Sequence, residues 1–79
     1  MPTILRIGRY RFFFFSKERQ EPPPIHVEAA DCYAKYWIDR VALDRSVGYY
    51  GSELSELYQL VEHHRGLFLE RWHAYFGAE

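Results

Sequence analysis

Proton transfer near neutral pH is histidine chemistry, and holding a phosphate calls for arginine or lysine. The chain carries histidines at positions 26, 63, 64 and 73. Helical histidines that share a metal stand four residues apart on one face. His63 and His64 are adjacent and diverge by about 100°, and nine steps put His64 and His73 on opposite faces. No pair has ligand spacing, so neither a metal site nor a cofactor is expected. His26 stands alone after a proline run. With Arg11 and Lys35 it makes a set that could do acid–base work on a phosphodiester, His26 moving the proton and the two cations holding phosphate. Arg6, and Tyr33 or Tyr36, could converge on the same sheet face. The residue types suit a small ribonuclease; the same positions also read as ordinary outward strand residues.

Other chemistry finds less support. Glu28 with Asp31, or Asp39 with Asp44, could be paired carboxylates, but turn formation accounts for the aspartates. Cys32 is the only cysteine. It has no clustered cation or helix start beside it in sequence and reads as an inert small residue. It also excludes an internal disulfide and a cysteine-based zinc site. No glycine-rich phosphate loop and no nucleophile motif is present. Trp37, Tyr33 and Tyr36 with Arg6 and Arg11 could stack bases on a sheet, as single-strand binders do; core and interface packing is the competing use of these aromatics.

The elements that must position these residues follow from hydropathy period. Thr3–Ile7 reads as a strand, Gly8-Arg9 as a two-residue turn, and 10–16 as a second strand. Pro22-Pro23-Pro24 projects as an extended segment or delivers the chain to a third strand, Ile25–Ala29. Ala30-Asp31 turns the chain into a fourth strand, Tyr33–Ile38, with Tyr33, Lys35 and Trp37 on one face and Ala34, Tyr36 and Ile38 on the other. Val41–Leu43 adds a short strand or link, and 44–51 is a loop. From Ser52 the period becomes 3.6 through Leu54, Leu57, Tyr58, Val61, Phe68, Trp72, Tyr75 and Phe76. Ser52 is the expected N-cap and Gly77 the stop, with Gly66 marking a kink or split near His63-His64-Arg65. The expected fold is α+β in one domain: an antiparallel sheet of four or five strands over 1–43, and one long, kinked helix over 52–77 on one face.

Phe12 to Phe15 run consecutively in the second strand. Alternation sends Phe13 and Phe15 one way and Phe12 and Phe14 the other. One helix layer covers one face, so half of this run is expected at an interface. Phe12 and Phe14 are assigned to it, together with Arg6, Arg9 and Trp37. A chain of 79 residues has a small core, and association is the reinforcement left without disulfides or metal. A homodimer is therefore expected, and polar substitution at the outward pair should leave a soluble, dissociated protein.

Net charge is −1, but it is unevenly spread. Arg6, Arg9, Arg11, Lys17 and Arg19 face a single acid, Glu18, in the first 19 residues, and the rest is acidic. A basic end can mark a nucleic-acid contact. No apolar run approaches the about 20 residues that span a bilayer. The first residues lack the layout of a signal peptide. A lone thiol fits a reducing, cytoplasmic setting.

The pattern also resembles a known family. Pro2-Thr3-Ile4-Leu5-Arg6, Gly8, Tyr10-Arg11-Phe12-Phe13-Phe14 with Ser16, Glu21-Pro22-Pro23 and His26-Val27 resemble the start of the bacterial "domain of unknown function 4160" family. Ala34-Lys35-Tyr36-Trp37 matches its middle. Glu53-Leu54, Leu60-Val61 and Trp72-His73 with Phe76 match its last helix. The resemblance implies a neighbour-encoded small partner of the "domain of unknown function 2442" family and a toxin–antitoxin-like two-gene module. The expected role is one component of it, working through protein–protein contacts with RNA as a candidate ligand; the alternatives are a non-enzymatic binding or regulatory module and a small ribonuclease-like toxin. The family typically reads Pro-Pro-His-Val-His-Val. Here Pro24 stands at the first histidine and only His26 remains, and Arg9 replaces a usual glycine.

Overall fold

A computed structural model describes residues 3–15 and 22–77. Five strands run in sequence order across one antiparallel sheet: β1 (Thr3–Ile7), β2 (Tyr10–Phe13), β3 (Pro24–Ala29), β4 (Cys32–Trp37) and β5 (Ala42–Val47). Each strand pairs with the next. The two tight hairpins need backbone that curls the unusual way. Gly8 takes φ +58° after Ile7 pairs with Tyr10. Ala30 takes φ +52° between Ala29 and Cys32, a conformation an L side chain adopts at a cost.

Both edge strands carry an irregularity. The ladder slips at Ile4 in β1, between Thr3 and Leu5. It slips again at Asp44 in β5, where Lys35 pairs with Arg45 and Tyr36 with Leu43. Bulges and charges on an edge discourage sheet-to-sheet pairing.

Two helices follow, α1 (Gly51–His63) and α2 (Arg65–Phe76). The expected single helix is broken at His64, whose φ of −102° and ψ of 17° leave the helical basin. The break falls beside Gly66, as the sequence suggested. The His64 ring bonds the Leu60 carbonyl at 2.9 Å, the same carbonyl that accepts from the His64 backbone N–H at 3.0 Å. Arg65 then reaches the sheet, donating from Nε to the Ile38 carbonyl at 2.7 Å and from Nη2 to that of Asp39. The N-cap is Tyr50, not Ser52; its N–H donates to Glu53 Oε1 at 2.8 Å.

Both helices pack on one face of the sheet. The core unites Tyr10, Phe12, Phe14, Ile25, Val27, Ala34, Tyr36 and Ile38 with Leu57, Val61, Phe68 and Trp72. Of the expected helical stripe, Tyr58 and Tyr75 are exposed: at 100° per residue they fall beside the buried positions, not on them. The fifth strand extends beyond the expected Val41–Leu43, to Val47. Ala42–Val47 is mostly exposed, so an edge strand with charges at 44 and 45 shows little alternation to read.

Candidate functional site

The phenylalanine run alternates as expected, but its assignment reverses. Phe12 and Phe14 are each 0% exposed and lie under the helices. The Phe12 ring stacks on Phe68 at 5.3 Å, and Phe14 meets Phe76 at 6.3 Å. Their interface placement is therefore overturned: this chain's own helices cover them. Phe13 and Phe15 occupy the opposite face. Sequence alternation separates the two pairs but carries no sign, and only helix docking supplies it.

The face opposite the helices is assembled from strand register. Arg6, Arg11, Glu28, Tyr33 and Val47 form one row across all five strands; Phe13, His26, Lys35 and Arg45 form the next; Pro24, Trp37 and Ala42 form a third. Arg11, His26 and Lys35 are thus brought to one face, with His26 directly opposite Lys35. Tyr33 and Trp37 share it, whereas Tyr36 points into the core, where its hydroxyl donates to the Leu54 carbonyl at 2.9 Å. Burial pushes that phenol up to about 12.

His26 is the centre of this face and is nearly sealed, at 1% exposed. Phe13 stacks on it at 5.4 Å, Phe15 packs at 4.3 Å and Tyr33 at 5.8 Å. Its Nδ1 lies 2.6 Å from the Tyr33 hydroxyl oxygen. One proton joins them: either the phenol donates to a neutral ring, or the ring donates to the phenol. Tyr33 is half-buried, so it is the member of the pair that reaches the surface. The sequence groups His26 with cations and Tyr33 only beside them; the β3–β4 register, set by a two-residue turn, makes Tyr33 the direct partner.

Two cations of this face lie over its aromatics. Arg11 sits 4.3 Å from the Phe13 ring centre, and Lys35 Nζ 4.6 Å from that of Trp37. Arg11 also donates to Glu28 from Nε at 3.0 Å and to Thr3 from Nη1 at 2.9 Å. Arg9 is elsewhere. It turns toward the helix layer, where it pairs with Glu53 at the start of α1. There Tyr10 donates to Glu56 at 3.3 Å. Part of the basic end is therefore neutralised by acids distant in sequence; Lys17, Glu18 and Arg19 lie outside the described residues.

Cys32 is half-buried, its Sγ 3.0 Å from the place a Gly48 side chain would occupy. Of the candidate carboxylates, Glu28 serves Arg11, and Asp44 lies 3.5 Å from its neighbour Arg45. Among the described residues no helix is long and apolar enough to cross a membrane, and no group of three or more potential ligands could hold a metal.

The described residues define a two-layer α+β domain with helices on one face and a cation–aromatic surface on the other. The family described as Domain of unknown function (DUF4160) matches residues 10–73, and the chain belongs to it. No curated protein and no solved structure matches.

Proposed function

We propose that the chain is one component of a toxin–antitoxin-like two-gene module and that it works by binding through the sheet face opposite its helices. The observation that carries this is the one-sided helix layer: it leaves Phe15, Tyr33, Trp37 and Arg45 at the other surface. The partner in this reading is the small neighbour-encoded protein that accompanies family resemblance. Self-association through the same face is not the reading adopted, because Phe12 and Phe14 lie under the chain's own helices and do not argue for a dimer. The decisive experiment expresses the chain with and without its genomic neighbour and scores growth and co-purification. A complex that Trp37→Ala breaks without unfolding the chain supports the reading. No complex, and no growth effect in either arrangement, removes it.

A small ribonuclease-like toxin is the second reading, favoured by the 2.6 Å contact between His26 and Tyr33. In it Tyr33 touches substrate, His26 holds or delivers its proton, and Arg11 and Lys35 hold phosphate. Growth inhibition or RNA cleavage should then be lost in Tyr33→Phe and in His26→Ala. Unchanged activity in both excludes acid–base work at this pair.

A further inference from the structure

Cys32 has neither a cation nor a helix start beside it in sequence, and the fold brings both to its end of the sheet. Arg11 pairs with Glu28, so the β1–β2 and β3–β4 turns lie at the same end. Ala29 pairs with Cys32 and Tyr33 with Val47, which sets Gly48 beside the thiol. The fit is close: a Cβ on Gly48 would stand 3.0 Å from Sγ. The first turn of α1 follows Gly48, and Arg9 pairs there with Glu53. Arg9 also lies 5.2 Å from the Tyr10 ring centre, and Tyr10 meets Tyr49 at 6.2 Å. The thiol is half-buried and so reaches the surface. Tyr49, next to Gly48, is 9% exposed, and its hydroxyl has no hydrogen-bond partner among the described residues. Burial comes first in raising this phenol to about 12; the Cys32 sulfur comes next, ahead of Tyr10, Arg9 and Glu53. Electrostatic influence falls with distance, so the thiol is the nearest titratable neighbour of this orphan hydroxyl. A buried donor left unpaired carries a penalty, and one acceptor oxygen added to Sγ would relieve it.

We propose that Cys32 is an oxidation site: peroxide converts its thiol to a sulfenic acid whose oxygen accepts from the Tyr49 hydroxyl, and a low-molecular-weight thiol then caps it. In the first step the thiolate attacks one peroxide oxygen; an S–O bond forms and the O–O bond breaks. Sulfur loses two electrons and peroxide gains them. The departing hydroxide takes up the proton that the thiol released and becomes water. In the second step an incoming thiolate attacks the sulfenyl sulfur. An S–S bond forms, the S–O bond breaks, and the oxygen leaves as hydroxide, which is protonated to water. The chain holds no other cysteine, so the capping thiol comes from another molecule. The Tyr49 bond holds the sulfur at the reversible stage, ahead of oxidation to the sulfinic acid.

The test is mass spectrometry of the intact, folded chain after treatment with hydrogen peroxide, with dimedone to trap sulfenic acid and, separately, glutathione to cap it. The parent should gain one dimedone or one glutathione, located at Cys32, under conditions in which circular dichroism shows the fold unchanged. Cys32→Ser should gain neither. Tyr49→Phe removes only the unpaired hydroxyl. It should lower the trapped sulfenic acid by roughly threefold or more, the factor one ordinary hydrogen bond carries, with sulfinic acid rising in its place. Tyr58→Phe, at an exposed phenol on α1, should behave as the parent. Labelling that occurs only in urea overturns the inference. So does a thiol that passes straight to the sulfinic acid, parental trapping in Tyr49→Phe, or an equal loss in Tyr58→Phe.

Discussion

Two phenols illustrate how one burial serves different ends. Tyr36 spends its hydroxyl on the Leu54 carbonyl, tying β4 to α1. The Tyr49 hydroxyl is buried with no hydrogen-bond partner among the described residues. Burial pushes both phenols up to about 12, from an ordinary value of 10. A proton retained by the folded state and lost by the unfolded state makes stability fall as pH rises. Stability should be intact below pH 10 and drain away between 10 and about 12. Tyr49→Phe removes an unsatisfied group and should be neutral or stabilising by up to about 1 kcal/mol at pH 7. It should also flatten the alkaline decline. Urea titrations at pH 7 and 11 read both effects. Ala30 gives a second residue-scale prediction. Its φ of +52° suits glycine, so Ala30→Gly should stabilise by about 0.5–1 kcal/mol. At Gly48 the reverse holds: φ is +90° and an added Cβ would meet Cys32 Sγ at 3.0 Å. Gly48→Ala should lower the melting temperature.

At the scale of elements, the helix pair and the second strand carry the stability. Gly66 sits in α2 with open space where a Cβ would stand. Gly66→Ala should raise stability by about 1 kcal/mol, measured by thermal melting. Phe14 lies just past the end of β2 with 0% exposure. Phe14→Ala should cost about 3–5 kcal/mol and leave an unfolded chain, where a surface phenylalanine would have given a soluble dissociated one. Far-ultraviolet circular dichroism separates these outcomes. Element type was largely legible in sequence, because period 2 and period 3.6 are local. The hairpins at Gly8-Arg9 and Ala30-Asp31 announced themselves through turn chemistry. The length of β5 did not, since a solvated edge strand alternates little. Nor did the N-cap: Tyr50 owes that position to Glu53 reaching its N–H, while Ser52 had the better cap chemistry on its own.

For the whole molecule, the radius of gyration is 11.7 Å, and a compact chain of this length should have about 12 Å. The two tryptophans report different layers: Trp37 belongs to β4 and Trp72 to α2. One cooperative unit predicts that tryptophan fluorescence and helical circular dichroism lose signal at the same denaturant concentration. Separate midpoints would mean that the helices detach from an intact sheet.

By itself the sequence determined the α+β class, the antiparallel hairpins and the family. It also determined that Arg6, Arg11, His26, Lys35 and Trp37 sit at strand positions able to share a face. These follow from local rules: residue alternation, turn geometry and helical period act over a few neighbours. Only the tertiary structure decided which phenylalanines are core, because alternation is symmetric until the helices choose a side. It also decided that Tyr33 partners His26, that Glu53 and Glu56 draw Arg9 and Tyr10 to the helix layer, and that Arg6 with Arg11 and Lys35 with Arg45 stand opposed. Those are relations between distant segments, fixed by strand register and helix docking.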